Sequence, residues 1–179
     1  MSSPGLKPKT VLIVDDNRDL LDSLRLAISV LGDGEFQVET AMDGAEGLAR
    51  VYEVHPDCVI IDAKMPSLNG YQLVHVLRGD PETASIPLVI LSALAQERDY
   101  RAGMLAGADR YLTKPASPQS VVEALHQCIS MSETERTQRL RELVDQEVDG
   151  PPVSVAGEQG TGQTDSHPSE FGPIWRRNE

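Results

Sequence analysis

Five polar residues stand directly after apolar runs of this sequence: Asp15, Asp16, Asp62, Ser92 and Lys114. Three carboxylates brought together would repel one another, which raises their pKa values unless a cation is present. Oxygen ligands of this kind suit Mg²⁺, which binds through one or two carboxylates plus phosphate. Together with a lysine cation and a hydroxyl donor, such a set could stabilise a phosphoryl group arriving on one carboxylate by in-line transfer.

Taken singly, each of these residues has a simpler explanation. An aspartate after a strand, such as Asp62, is often a turn residue or a helix cap, and Asp15 and Asp16 could cap the helix that follows them. Ser92 alone would be a strand-end turn residue. The elements around these residues therefore decide whether they form a site.

The chain alternates between apolar runs and helical patterns five times. The runs predict strands over 10–14, 36–40, 58–61, 88–91 and 110–112, and the patterns predict helices near 20–31, 43–53, 70–77, 95–106 and 117–131. Such βα alternation predicts an α/β fold with a doubly wound, five-stranded parallel sheet covered on both faces. Because parallel strands end at the same edge, the polar residues should meet there.

The composition limits the function classes. The chain of 179 residues carries 28 acidic and 16 basic side chains, a formal charge of −12, which argues against a general affinity for nucleic acid or anionic membrane. Cys58 and Cys128 lie inside apolar runs and are expected to be buried, reduced thiols. We find no signal peptide and no apolar run near the ~20 residues of a membrane span, so we expect a soluble, cytoplasmic protein.

The composition changes along the chain and predicts its organisation. Residues 1–8 form a polar lead-in, expected to be disordered, and 9–131 form the α/β domain. Residues 132–149 are expected to be helical, with a thin apolar stripe of Leu140, Leu143, Val144 and Val148. Residues 150–179 are expected to be disordered, because 150–168 have too little apolar surface to fold, and 171–177, with Trp175, is a candidate docking segment.

The motifs in this order resemble the receiver domains of response regulators, the CheY-like family of two-component signalling. The resemblance covers about residues 9–131. It rests on the acidic pair Asp15-Asp16, on Asp62 within Asp-Ala-Lys-Met-Pro-Ser-Leu-Asn-Gly, on Ser92 in Leu-Ser-Ala, on Gly107-Ala108-Asp109, and on Lys114-Pro115. It implies a flavodoxin-like strand order of 2-1-3-4-5 and a cis peptide bond before Pro115.

The resemblance also implies a role for each site residue. Asp62 would accept a phosphoryl group from a histidine kinase or phosphotransfer protein. Asp16, Asp62 and the backbone carbonyl of Lys64 would ligate Mg²⁺, and Asp15 would hold metal-bound water. Lys114 would pair with the acceptor and then with the phosphoryl group. Ser92 and the aromatic Tyr111 would be the switch residues that respond to phosphorylation.

The sequence therefore predicts a response regulator that accepts a phosphoryl group and then switches a protein-binding surface for a downstream protein. The residues after Met131 are too few and too polar for a DNA-binding output domain, so we expect neither such a domain nor contact with nucleic acid or membrane. An alternative is a constitutive interaction module that does not switch. A phosphatase with an aspartate nucleophile is disfavoured, because Lys64 stands where such enzymes usually carry a second aspartate, and we expect no enzyme.

Overall fold

The computed structural model describes residues 7–148. Most of the predicted lead-in, and the whole of the tail predicted over 150–179 with its candidate docking segment, lie outside the described residues. The side chains predicted to form the apolar stripe at Leu140, Leu143, Val144 and Val148 also lie outside them.

Five strands form one parallel sheet in the order β2-β1-β3-β4-β5. The predicted fold class and strand order are therefore confirmed. The strands are β1 (Lys9–Val14), β2 (Phe36–Ala41), β3 (Cys58–Asp62), β4 (Leu88–Ser92) and β5 (Arg110–Thr113).

Helices connect the strands and cover both faces of the sheet. They are α1 (Arg18–Leu31), α2 (Gly44–Val54), α3 (Gly70–Gly79), α4 (Glu97–Leu105), α5 (Pro118–Ser130) and, after the sheet is complete, α6 (Glu133–Val148). Asp43 and Ser117 cap α2 and α5 through their side chains. Among residues 7–148, no helix is both long and apolar enough to cross a membrane.

Every residue of the interior strands β3 and β4 is buried. This explains their continuous apolar sequences, since a parallel sheet with helices on both faces leaves no strand face in water. The core divides into one cluster on each face of the sheet. Cys58 and Cys128 belong to the same cluster, and both are buried free thiols as predicted.

Helix α4 is shorter than its apolar pattern predicted, since it begins at Glu97 and not at residue 95. The residues just before it form a loop whose main chain is held by side chains of the sheet edge, as described below. After α4, Gly107 adopts a φ of +109°, a left-handed conformation that favours glycine and turns the chain toward β5.

Candidate functional site

The carboxyl ends of four strands bring the predicted residues to one edge of the sheet. Asp62 and Ser92 are the last residues of β3 and β4, while Asp15 and Lys114 directly follow β1 and β5. The strand register pairs Asp62 with Leu91 and Ser92 with Thr113. The order of the strands therefore places the acceptor candidate Asp62 between the other groups.

Lys114 joins two of the carboxylates. Its Nζ donates to Asp15 Oδ2 at 2.7 Å and to Asp62 Oδ1 at 2.6 Å. The two carboxylates are almost completely buried, with 2% and 7% of their side-chain surfaces exposed. One ammonium group thus lies between two buried carboxylates, which leaves a net negative charge in the site.

This charge balance shifts the pKa values of Asp62 and Lys114. Burial raises the pKa of Asp62, and the nearby Asp15 adds to that effect, while the hydrogen bonds and charge of Lys114 oppose it without cancelling it. Burial by itself lowers the pKa of Lys114, but its hydrogen bonds to Asp15 and Asp62 outweigh burial and raise that pKa. The pKa of each of these two groups therefore depends on the other group.

The two members of the acidic pair lie in different surroundings. Asp15 is buried, and its Oδ1 accepts a hydrogen bond from the backbone N–H of Asn17, whereas Asp16 is exposed. Neither residue caps α1, because Asn17 is the N-cap and accepts from the N–H of Leu20. The capping explanation of this pair is therefore wrong.

The oxygen donors at this edge are of the kind that Mg²⁺ takes in proteins. Within the described range, no group of three or more His, Cys, Asp and Glu side chains is arranged to hold a metal by itself. Mg²⁺ needs fewer, since it usually keeps several waters and binds one or two carboxylates plus phosphate. Asp15 and Asp62 lie close enough together to bind one cation, here the Lys114 ammonium, and the exposed Asp16, next to Asp15 in the chain, adds a further oxygen donor.

The main chain of the β3–α3 loop contributes two further features. The backbone N–H of Lys64 donates to Asp62 Oδ2 at 2.9 Å, so both carboxylate oxygens of Asp62 are engaged, while the side chain of Lys64 is exposed. Gly70 packs so closely that a Cβ atom there would lie 2.2 Å from the carbonyl oxygen of Asp62. This packing role of Gly70 was not predicted from the sequence.

Ser92 and Tyr111 both bind the backbone of Leu94, which the sequence analysis did not single out. The Oγ of buried Ser92 accepts from the N–H of Leu94 at 3.0 Å, and the hydroxyl of Tyr111 donates to the carbonyl of Leu94 at 2.9 Å. The Tyr111 ring lies against Gly103 of α4, where a Cβ would come within 2.7 Å of the ring. The β4–α4 loop is therefore held from both sides by the predicted switch residues.

The peptide bond between Lys114 and Pro115 is cis, as the resemblance implied.

Comparison with known proteins agrees with this geometry. Residues 11–126 match the family model described as response regulator receiver domain. A putative response regulator from Chloroflexus aurantiacus is 34% identical with a TM-score of 0.65, covering 70% of this chain and 100% of that one. The chemotaxis protein CheY4 of Vibrio cholerae is 28% identical with a TM-score of 0.62, covering 68% and 99%.

Relatives in sequence carry names that refer to transcription and DNA. The transcriptional regulatory protein PrrA of Mycobacterium leprae is 41% identical over 111 residues, which are 62% of this chain and 46% of PrrA. The DNA-binding response regulator MtrA of Mycobacterium tuberculosis is 32% identical over 151 residues, 83% of this chain and 63% of MtrA. The chain thus spans about half to two thirds of the length of these relatives.

These relatives overturn one expectation. The prediction that neither a DNA-binding output domain nor nucleic acid is involved is wrong, since MtrA, a protein similar to this chain, is named as a DNA-binding response regulator. The acidic composition is an average over the chain, and the charge of an α/β domain does not determine what that domain controls. The matched relatives extend well beyond the region that they share with this chain.

Proposed function

This chain belongs to the response regulator receiver domain family, and we propose on that premise that Asp62 is its phosphoacceptor. The donor would be a phosphohistidine of a sensor kinase or phosphotransfer protein in the cytoplasm. The receiver would then change conformation at the β4–α4 loop and β5.

The contact between Lys114 and Asp62 is the observation that carries the proposal. An ammonium group 2.6 Å from the acceptor carboxylate is already where charge builds up when a phosphoryl group joins that carboxylate. Its second bond, to Asp15, keeps the lysine in place when the acceptor oxygen becomes part of an acyl phosphate. A lysine held from two sides is pre-organised, so little rearrangement is needed during the transfer.

The reaction itself makes one bond and breaks one. A carboxylate oxygen of Asp62 forms a bond to phosphorus while the bond between phosphorus and the donor breaks, and the donor leaves with that electron pair. The backbone N–H of Lys64 and the Nζ of Lys114 orient the two carboxylate oxygens before the transfer. In-line geometry and charge stabilisation supply most of the catalysis in such transfers.

Mg²⁺, when bound, would neutralise charge on the phosphoryl oxygens. The side chains of Asp15, Asp16 and Asp62 and the backbone carbonyl of Lys64 are the groups that would hold it.

The hydrogen bonds of Leu94 support a conformational response. In the present structure Ser92 Oγ accepts from the N–H of Leu94, so a rotation of the Ser92 side chain that carried its hydroxyl toward a phosphoryl group would move Oγ relative to that N–H. A shift of Leu94 in response would also change the bond that Tyr111 donates to the carbonyl of the same residue. This arrangement connects the two switch residues through one residue of the loop.

Intact mass spectrometry tests the phosphoacceptor directly. The protein is incubated with Mg²⁺ and a small phosphodonor such as acetyl phosphate, and the mass of one phosphoryl group should appear. Asp62→Asn should abolish this adduct, while Asp57→Asn, which changes the aspartate directly before β3, should not. An adduct of equal yield on the Asp62 variant would overturn the assignment.

The relatives support a further proposal about the output. Since PrrA and MtrA are named as transcriptional or DNA-binding regulators, we propose that phosphorylation of Asp62 controls transcription. Transcript profiles of cells that carry Asp62→Asn in the native gene should differ from the wild type in a defined gene set. An unchanged profile under the conditions that phosphorylate the wild type would contradict this output.

A further inference from the structure

Asp109 lies at the opposite end of β5 from Lys114, and its carboxylate is buried. Oδ2 accepts hydrogen bonds from Arg78 Nη2 and from the backbone N–H of Leu88, each at 2.8 Å. Oδ1 accepts from Nε of Arg136, which belongs to the added helix α6. A buried carboxylate needs such partners, since leaving one oxygen unpaired costs free energy.

Arg78 and Arg136 differ in their other hydrogen-bond partners. Arg78 is bound within the α/β domain, because it also donates to the carbonyls of Gly107, Ala84 and Ile86 at 2.7–2.8 Å. Arg136 reaches across from α6 and donates through Nη1 to the carbonyl of Ser85 at 3.0 Å. The second oxygen of the Asp109 carboxylate therefore depends on a residue outside the five βα units.

Two arginines join α6 to the residue before β5: Arg136 binds the carboxylate of Asp109, and Arg139 Nη1 donates a longer bond, at 3.5 Å, to its backbone carbonyl. Helix α6 packs against α4 in the same compact unit, but a cavity of about 300 Å³ lies beside the contact, lined by Met104, Ala106 and Met131 together with the arginines. Because this cavity borders the contact between α4 and α6, that contact gains less stability from apolar burial than a close-packed one would. The ion pair to Asp109 consequently matters more than it would in a filled interface.

Strand β5 connects this contact to the candidate phosphoacceptor site. Only Arg110–Thr113 separate Asp109 from Lys114. The strand is held along its length by β4, with Ser92 opposite Thr113 and the N–H of Lys114 bound to the carbonyl of Ser92 at 2.7 Å. A short, paired strand transmits a displacement at one end to the other, since packed elements do not deform smoothly.

We propose that Arg136 is a positioning residue for the site: it fixes Asp109 at the start of β5 and thereby helps to hold Lys114 against Asp62 at its end. Through Arg136, helix α6 then contributes to the geometry of the site in the receiver. The expected effect on phosphorylation rests on the function proposed above, whereas the expected effect on the conformation of β5 does not.

Nuclear magnetic resonance on the full chain tests the conformational part without any phosphodonor. In Arg136→Gln, backbone amide shifts should change along β5 as far as Thr113 and Lys114. Arg136→Lys should give smaller changes, since an ammonium can hold Asp109 but not Ser85 as well. Arg141→Gln, at an exposed position of the same helix, is the control for lost charge and should leave β5 unchanged. Changes confined to α6 and Asp109 would overturn the proposal.

Phosphorylation by acetyl phosphate, measured well below the melting temperature of each variant, provides the second readout. Arg136→Gln should slow adduct formation by roughly two- to thirtyfold, the range expected for a residue that acts on a distant site through packed structure. Arg136→Lys should recover part of the rate, and Arg141→Gln all of it. Equal rates in all four proteins would overturn the positioning role. A wild type that forms no adduct would instead contradict the proposed function. The changes in backbone amide chemical shift along β5 would still test the positioning role of Arg136, because that measurement uses no phosphodonor.

Discussion

At the scale of single residues, the site holds more carboxylates than cations. Asp15 and Asp62 are buried beside one ammonium group, that of Lys114, and burial raises the pKa of Asp62 despite this cation. An ionised carboxylate in this position destabilises the folded state, and it is available for reaction. Functional sites often carry such perturbed groups, because the arrangement serves chemistry and not stability.

Asp62→Asn should therefore stabilise the protein at neutral pH without Mg²⁺, by on the order of 1 kcal/mol, because it removes a buried charge and leaves Lys114 with Asp15. The sign follows from the raised pKa: ionised Asp62 destabilises the folded state above its folded pKa. That cost disappears as pH falls through the raised pKa to the ordinary value of 3.8.

Urea unfolding at pH 7 and near pH 4, with a chelator present, measures this difference. The advantage of the variant should shrink at the lower pH. Asp22→Asn, on the exposed side of α1, provides the control and should change stability little at either pH. An advantage of Asp62→Asn that is the same at both pH values would contradict the electrostatic explanation.

Ser67 in the β3–α3 loop adopts a φ of +65°, which is unfavourable for a residue with a Cβ atom. Ser67→Gly should relieve this strain and stabilise the fold by about 0.5–1 kcal/mol. Ser23→Gly, within helix α1, should instead destabilise by a similar amount. Chemical denaturation of the two variants checks the opposite signs, and a loss of stability in Ser67→Gly would show that its side chain has a role that outweighs the strain.

At the scale of elements, the start of helix α3 packs against the backbone of the proposed acceptor, Asp62. Its first residue, Gly70, lies against the backbone of Asp62, and Asn69 and Gln72 cap the helix reciprocally. The start of α3 is thereby fixed against the end of β3. The position of the acceptor thus depends on a residue that has no side chain.

Gly70→Ala should destabilise the protein by about 1–3 kcal/mol and slow phosphorylation, because the new methyl group meets backbone that cannot rotate away. Gly79→Ala, at the other end of the same helix, meets nothing within 4 Å and should be neutral or slightly stabilising. Thermal melting and adduct formation measured on both variants compare the two ends of α3. Wild-type behaviour of Gly70→Ala would mean that α3 can shift without affecting Asp62.

At the scale of the whole molecule, metal binding and stability are linked. A ligand that binds only the folded protein raises its stability by an amount that grows with ligand concentration. The excess of carboxylates in this chain, with a formal charge of −12, makes non-specific cation binding a competing cause of the same effect. A variant of one site residue separates the two.

Mg²⁺ should raise the melting temperature of the wild type, by a few degrees at saturation for a domain of this size. Asp16→Ala should lose most of that rise, since Asp16 is a proposed ligand, whereas Asp22→Ala removes an equal charge on the exposed side of α1 and should keep it. Differential scanning calorimetry over a Mg²⁺ series gives the comparison. An equal rise in both variants would assign the effect to the general charge of the protein.

The sequence by itself determined the fold class, because the βα alternation and the continuous apolar runs of β3 and β4 leave few arrangements other than a covered parallel sheet. It also identified which residues reach the sheet edge, since strand ends are readable from local pattern. Tertiary structure alone decided that Lys114 bridges Asp15 and Asp62, that Leu94 joins Ser92 to Tyr111, and that Arg136 binds Asp109. These contacts join residues of different elements, in most cases far apart in the chain, and their geometry depends on packing that no local pattern encodes.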